Sequence, residues 1–493
     1  MSQFSRIRQP SGQDRQFRFP IRPALTLPNS FMLQSIEQRL IGDMTDYERS
    51  ILRHGAVWFF LILFSYYILR PIREQIGSTY GIENLSWLFW ATFVVMLIAI
   101  PLYSLLVGKF HRRILVPSIY AIFIGCLIVF WLAMRSLPES YQIWVARAFF
   151  VWISVYGLFI VSFFWSVAGD MLSTAQGRRI FGIMAGGGTI GGLVGSQVAA
   201  TLVGRIGVAN LLLIPVILLV AALFIYFSME RSFKRAGDSK KKDLGSGNAT
   251  GGNPFAGFTA VFKSRYLFAI CMFGIFLATC GTAVYFQQAE IVKAAFEDIE
   301  FDASTIANAD SLSAESLEAE KSKLQQEVAK AARTQYFANV NFAVSIVTLI
   351  FQFFLVGWLM KKVGLGMTLS ALPLAYVVGI SALAFSPTIG VLAVVSVIGR
   401  SAEYGISNPA REVLFTAVNR EDRYKAKSFI DTVVRRGGDS SVGGVYKYAR
   451  ESIGLAMTTL SLIMIPIGIA WIGLSLFIGF ENRRIVASRS SDE

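Results

Sequence analysis

Long apolar stretches recur along most of the chain, separated by shorter polar segments. As a helix rising about 1.5 Å per residue, a stretch of about 20 residues spans the roughly 30 Å hydrocarbon core of a bilayer. Six stretches precede a polar, glycine-containing segment and six follow it. The pattern predicts an all-α membrane protein whose twelve transmembrane helices form two six-helix bundles. The predicted spans are 54–76, 86–107, 114–134, 146–168, 180–203, 208–228, 266–289, 335–360, 367–386, 389–408, 428–449 and 454–480.

The polar segments divide the chain into five predicted parts. From the N-terminus they are a cytosolic N-terminal extension 1–52, an N-terminal bundle 53–228, a basic cytoplasmic linker 229–265, a C-terminal bundle 266–480 with an outward loop 290–334, and a cytosolic tail 481–493. The loop has eight acids between Glu297 and Glu320. The Lys-, Glu- and Ala-rich stretch at its end predicts a solvated helix.

Composition agrees with a membrane protein and argues against a soluble enzyme. Hydrophobic residues make up 54% and charged residues 16% of the 493 residues, and the mean hydropathy is +0.54. The net charge of +14 comes from short basic runs between apolar stretches, so a nucleic-acid partner is not expected. These runs follow every second span, which predicts cytoplasmic termini in the cell inner membrane. Three cysteines and two histidines predict no disulfide framework, no metal site and no cofactor.

Charged residues inside the spans mark the candidate site, because a charge at bilayer depth costs on the order of 3 kcal/mol and favours a water-filled cavity. In the first span Arg70, Arg73 and Glu74 are spaced i, i+3 and i+4 and share one helix face. They face a cavity or mark the outer end of the span, with their charges among the headgroups. In the tenth span Arg400 and Glu403 are spaced to pair, as a structural ion pair or as part of a gate or substrate site.

The eleventh span has the most charges, with Asp431, Arg435, Arg436 and Asp439. The i, i+4 spacings predict that Arg435 pairs with Asp431 and continues in a stripe to Asp439. Arg436 then lies on another face and is available to an anion. The alternative is an amphipathic helix on the cytoplasmic surface.

Uncharged polar residues add candidates in the seventh and eighth spans. Gln287, Asn339 and Asn341 are candidates to form hydrogen bonds with a substrate in a cavity, or else to form hydrogen bonds between helices. Glycines recur at every fourth position in 187–195. Because the Lys-Ser/Thr step of a nucleotide-binding loop is missing, this spacing favours close packing of two helices.

Two sets of six helices joined by a basic linker are the layout of the major facilitator architecture, whose halves surround a midplane cavity. A weak repeat of charged and Gly-rich elements in the two halves also favours a duplication. Charged residues near the cytoplasmic ends of the spans are candidate gate residues, whose ion pairs would break when the inner side opens. They are Asp170, Arg178, Arg179, Arg411, Glu412, Arg423 and Lys425.

Three short motifs resemble those of the ATP/ADP translocases of plastids and intracellular bacteria, a nucleotide antiporter family related to the major facilitators. Residues 409–415, Pro-Ala-Arg-Glu-Val-Leu-Phe, are similar to the family's Pro-x-Lys/Arg-Glu-x-x-Tyr/Phe element, and 425–433 to its Lys-x-Lys-x-x-Ile-Asp-Val-Val stretch. Residues 69–74 resemble its basic-Ser-hydrophobic-Lys-Asp element. The chain departs from the family at Asp439, where the family has a lysine. The resemblance implies nucleotide exchange, and this departure leaves other anions open.

We therefore expect a secondary active transporter, not an enzyme, that moves an organic anion across the inner membrane by alternating access. The resemblance favours a nucleotide as the anionic small-molecule substrate, and we expect a monomer whose other partner is the lipid bilayer. Guanidinium groups bind phosphate or carboxylate through two parallel hydrogen bonds, so Arg70, Arg73, Arg435 and Arg436 are the expected anion contacts. Nearby acids would position them or carry a proton. The alternatives are a proton-coupled carrier of another solute, a lipid carrier, and a membrane scaffold or sensor that transports nothing.

Overall fold

Twelve helical segments, α1 to α12, follow one another in a computed structural model that describes residues 44–79, 81–172, 174–235, 256–297, 313–418, 426–427 and 429–492. The first half contains α1 Asp46–Thr79, α2 Gly81–Lys109, α3 Arg112–Ser136, α4 Glu139–Met171, α5 Thr174–Leu211 and α6 Leu213–Arg235. The second contains α7 Arg265–Ala295, α8 Ala314–Ile350, α9 Leu365–Phe385, α10 Ile389–Ala402, α11 Arg435–Glu451 and α12 Met457–Asp492. A short helix, Ala256–Lys263, precedes α7.

Three π turns interrupt or adjoin helices of the second half. α8 continues through the turn Phe351–Leu355 to Val356–Lys362, and α10 continues through Glu403–Ser407 to Asn408–Leu414. The turn Ile430–Val434 leads directly into α11. Such turns add a residue to one helical turn and occur frequently at functional sites.

The all-α membrane fold is confirmed. Eleven of the helices are long and apolar enough to cross a membrane, and the described residues contain no strand. Large apolar side chains also face outward, as lipid contact requires: Phe385 is 88% exposed and Phe354 is 77% exposed. The charged α11 is not among the eleven, but it packs against α2 and α7 within the bundle.

The glycines of α5 bring its backbone against α1. A Cβ atom added at residue 187, 191 or 195 would lie 2.5, 2.2 or 2.6 Å from a carbonyl oxygen of α1, that of residue 56, 60 or 64 respectively. The interpretation of these glycines as close-packing positions therefore agrees with the structure. Because α1 carries three of the site candidates, this contact fixes them to the first half.

The described part of the predicted outward loop is mostly helical. α7 ends at Ala295, and α8 begins at Ala314, where the Ser313 side chain accepts a hydrogen bond from the Ser316 amide at 3.3 Å. From there α8 runs without a break into its apolar part. Residues 298–312 of the loop, 236–255 of the predicted linker and 1–43 of the predicted extension lie outside the described residues.

Successive spans alternate in direction, which defines two faces of the molecule. We call the face where α1 begins and α12 ends the terminal face. The opposite face, where α1 and α7 end and α8 begins, is called the loop face. The halves meet where α8 contacts α1 and α5, where α7 contacts α1 and α2, and where α11 contacts α2.

Candidate functional site

A cavity of about 210 Å³ lies between the halves. From the first half, α1 and α2 contribute to its wall, and from the second half α7, α9, α10 with its π turn, and α11. Eight of the twelve predicted substrate-binding residues line it. They are Arg70, Arg73, Glu74, Arg400, Glu403, Arg435, Arg436 and Asp439.

Glu74 joins the two halves at this cavity. Its Oε1 lies 3.1 Å from Nε of Arg70, one helical turn earlier in α1, and 3.6 Å from Nη1 of Arg400 in α10. Its Oε2 accepts a hydrogen bond from Asn341 of α8 at 3.1 Å, and Asn341 in turn accepts one from Arg400. The Arg70 guanidinium also donates to the Tyr404 hydroxyl at 3.1 Å. Glu74 therefore accepts hydrogen bonds from, or forms ion pairs with, groups of both halves.

Arg435 pairs with Glu403, and this differs from the pairing expected from helical spacing. The sequence predicts Arg435 with Asp431 and Arg400 with Glu403, because an unbroken helix would put each pair on one face. Asp431 lies within the π turn Ile430–Val434, ahead of α11, and Glu403 begins the π turn of α10. Each turn changes the helical register, so the partners come from different helices.

Arg73 and Arg436 make no ion pair with a carboxylate among the described residues, unlike the other three cavity arginines. The Arg73 guanidinium lies 4.1 Å from the centre of the Phe150 ring, and its Nη1 is 3.5 Å from the Tyr285 hydroxyl. Its buried Nε has no hydrogen-bond partner. Arg436 is attracted by Asp439, one turn later in α11, and is repelled by Arg435 and by Arg73 of the opposite half.

Asp439 faces the same cavity without an arginine at ion-pair distance, within the part of the chain that is described. Its Oδ1 accepts a hydrogen bond from the Thr282 hydroxyl of α7 at 3.2 Å. With five arginines and three carboxylates, the cavity carries a formal charge of +2.

The other four predicted residues do not line the cavity. Asn341 lies behind it, bonded to Glu74. Asn339 is exposed on the outside of α8, and Gln287 donates to Ser461 of α12 at 2.9 Å. Asp431 pairs with Arg411 at 2.5 Å.

Several residues that line the cavity were not predicted from the sequence, and all of them are uncharged. They include Phe89, Thr282, Tyr285, Tyr376, Ser396 and Tyr404. Thr282 and Tyr285 precede Gln288 at intervals of three residues on α7, so these polar groups share one face of an apolar helix. This spacing could have identified Thr282 and Tyr285 from the sequence. Gln288 accepts a hydrogen bond from Ser396 at 3.1 Å, which ties α7 to α10.

Each described gate candidate is paired within its own half. Asp170 lies 3.7 Å from Arg112 in the first half. In the second half Arg411 pairs with Asp431, and Glu412 lies 2.6 Å from Lys427. The side chains of Arg178 and Arg179, and the whole of Arg423 and Lys425, lie outside the described residues.

A model of the Major Facilitator Superfamily matches residues 56–302, half of the chain. The chain belongs to the Major Facilitator Superfamily. The match covers the α1 part of the cavity and α7, while α8 to α12 lie beyond it. No curated protein sequence matches the chain.

Solved transporter structures share the fold of this superfamily member. A POT family transporter in complex with 5-aminolevulinic acid has a TM-score of 0.56 at 11% identity, covering 88% of this chain and 96% of its own. A bacterial homologue of the iron transporter ferroportin, in an inward-facing state, has 0.54 at 12%, covering 89% and 99%. A mutant of the nucleoside transporter NupG has 0.52 at 12%, covering 89% and 100%. These structures show the shared fold, and the family match makes this chain a multi-pass membrane transporter rather than an enzyme.

Proposed function

We propose that the chain moves an organic anion across the membrane by alternating access, and that Arg73 and Arg436 bind the anion. The observation that carries this proposal is the arrangement of the cavity charges. Five arginines surround one space between the halves, and two of them make no ion pair with a carboxylate at 4 Å or less among the described residues.

A phosphate or carboxylate group suits these two arginines. Each guanidinium presents parallel N–H donors that match two oxygens of such a group. Arg73 and Arg436 repel each other across the halves, and Asp439 offsets part of the positive charge around Arg436. A bound anion would offset this repulsion and stabilise the occluded state more than the open ones, which is what a carrier needs.

The volume of the cavity limits what this conformation can hold. At about 210 Å³ it is smaller than the roughly 300–1,000 Å³ of sites that enclose drug-sized ligands. It therefore suits a small anion or the phosphate part of a larger one. A whole nucleotide would require the halves to separate further.

A nucleotide remains the favoured member of this class, as the family resemblance implies. The aromatic rings of Phe89, Tyr285 and Tyr404 line the cavity and offer surfaces for a base. The ion pair between Arg411 and Asp431 also joins the two second-half motifs that carry the resemblance, 409–415 and 425–433. Transport of a nucleotide would then take the form of exchange of one nucleotide for another.

The terminal face would be the cytoplasmic one, in the cell inner membrane, because basic runs follow every second span. Beside the central cavity Ser440 donates to the Phe89 carbonyl at 3.0 Å, and at the loop face Arg333 donates to Thr79, so both bonds join the halves. The described gate candidates at the terminal face make no bond across the halves. A bond between the halves at the loop face, and none from the described gate candidates at the terminal face, fit a state that is closed toward the outside.

Uptake into proteoliposomes tests the anion site. A panel of labelled nucleotides, sugar phosphates and carboxylates would be compared for the wild type, Arg436→Glu and the control Arg484→Gln. Arg484 is exposed on α12, so the control alters charge away from the cavity. We expect uptake of at least one panel anion, abolished in Arg436→Glu and retained in the control. Unchanged uptake by Arg436→Glu at normal protein amounts would refute the site.

A second candidate is coupling of the same transport to protons, favoured by Asp439. This carboxyl group faces the cavity and accepts a hydrogen bond from a hydroxyl group, while Arg436 and Arg435 act on it from beyond ion-pair distance, so it could release and accept a proton. Uptake into vesicles without internal counter-substrate would be measured under an imposed pH gradient. Uptake that follows the gradient and is lost in Asp439→Asn supports coupling, and uptake that requires internal substrate at every gradient supports exchange.

A further inference from the structure

A buried arginine outside the central cavity bonds to both halves at the loop face. Arg333 lies on α8 ahead of the apolar part of that helix and is only 6% exposed. Its Nη1 donates to Oγ1 of Thr79, the last residue of α1, at 3.2 Å. Its Nη2 donates to the carbonyl oxygens of Lys293 at 3.4 Å and Phe296 at 3.3 Å, at the end of α7.

The contact with α7 fixes Arg333 to its own half. The last carbonyl groups of a helix have no intrahelical donor and carry the negative end of the helix dipole, so a cation is stabilised there. Both α7 and α8 belong to the second half. Thr79, by contrast, belongs to the first half, and the bond to it must change when the halves separate at this face.

The acceptor on the first half is also held in place. Thr79 Oγ1 accepts a second hydrogen bond from Nε2 of Gln75 at 2.6 Å and donates to the Gln75 carbonyl at 2.9 Å. Gln75 directly follows Glu74, which bonds to both halves at the central cavity. A movement of this end of α1 is therefore transmitted between the cavity and Thr79.

The part of α8 before its apolar stretch, residues 314–334, is called the α8 extension, and a gap separates part of it from the first half beside this bond. A second cavity of about 330 Å³ separates them, with Gln75 and Ile76 on one side and Glu327 and Lys330 on the other. The hydrogen bond from Arg333 to Thr79 is a direct polar contact between α8 and α1 beside this cavity.

We propose that Arg333 is a positioning residue of the transport cycle, whose bond to Thr79 keeps the loop face closed and breaks when the cavity opens to that face. The inference rests on the proposed alternating access but not on the identity of the substrate. It also gives the α8 extension a function, as the segment that carries this residue to α1.

The test measures access to the central cavity from the loop face. Val284 lines the cavity, and Val284→Cys would be labelled with a membrane-impermeant maleimide in full-length protein without Cys126, Cys271 and Cys280. Thr79→Val removes the acceptor and Thr79→Ser keeps it. Ser78→Ala is the matched control, since it removes a hydrogen bond that stays within α1, from Ser78 to the Gln75 carbonyl at 2.8 Å.

We expect Thr79→Val to raise the labelling rate from the loop face about ten-fold, as for the loss of one charge-assisted hydrogen bond. Thr79→Ser and Ser78→Ala should keep the starting rate, which a general loss of stability would not explain. Equal rates for Thr79→Val and Thr79→Ser would overturn the proposal. Because labelling requires no substrate, this outcome would leave an Arg436-dependent uptake, and so the anion site, intact.

Discussion

The contact between α1 and α5 allows a quantitative prediction for Gly191→Ala. The new Cβ atom would lie 2.2 Å from the carbonyl oxygen of Phe60, whereas ordinary contacts begin at 3.4 Å. The two helices must therefore separate by about 1.2 Å, because a backbone carbonyl cannot rotate away as a side chain can. Overpacking of this kind costs about 1–3 kcal/mol. Alanine recovers about 0.8–1.0 kcal/mol through its higher helix propensity, so the net change is a destabilisation of about 0–2 kcal/mol.

Gly186→Ala provides the control on the same helix, since nothing lies within 4 Å of a Cβ atom at that position. Without a clash, only the gain in helix propensity remains. Thermal unfolding of the purified proteins in detergent should place Gly186→Ala at or above the wild type and Gly191→Ala below both. A Gly191→Ala protein as stable as Gly186→Ala would show that the helices do not meet as described, and that α1 is not bound rigidly to its half.

Three further substitutions separate structural pairs from anion contacts. Arg435→Gln leaves the Glu403 carboxylate without its partner and should lower thermal stability. Adding Glu403→Gln should recover part of this loss, with a coupling energy of about 1–3 kcal/mol in a double-mutant cycle. Arg73→Lys should weaken anion binding about ten-fold in titrations while the melting temperature stays near wild type, because lysine loses the forked geometry; an unchanged affinity would contradict the role given to Arg73. Asp431→Asn should lower the melting temperature and leave anion affinity unchanged, since its partner is Arg411 outside the cavity.

Charged cavity residues were accessible to sequence reasoning because the reason for their placement is local. A guanidinium within an apolar stretch is costly to expose to lipid, so Arg73 and Arg436 were candidates to face an interior space, with the headgroup region and a surface helix as the alternatives. The same rule selected α11, which lacks the apolarity of the other spans and lies between α2 and α7. The arrangement of apolar spans in two sets of six also predicted the transporter fold and the superfamily.

Pairings and uncharged lining residues depend on tertiary structure and could not be predicted. The sequence shows no sign of the π turn in α10 or of the π turn before α11. Each of these turns changes which residue a charged side chain pairs with. Tyr404 in an apolar helix looks like a packing residue until Arg70 is brought to its hydroxyl. Asn339 and Asn341 are two positions apart, about 200° around a helix, so only one of them can face inward.

Equilibrium binding of ATP and adenosine to the purified protein tests the central claim most directly. If the cavity arginines hold an anion, the wild type binds ATP but not the uncharged nucleoside, and Arg73→Gln and Arg436→Gln each weaken ATP binding by about 10- to 100-fold, as for one charge-assisted contact. Pyrophosphate, which fits the smaller volume, should compete with ATP in the wild type. ATP affinity that is the same in the wild type and in a variant lacking both arginines would contradict the account.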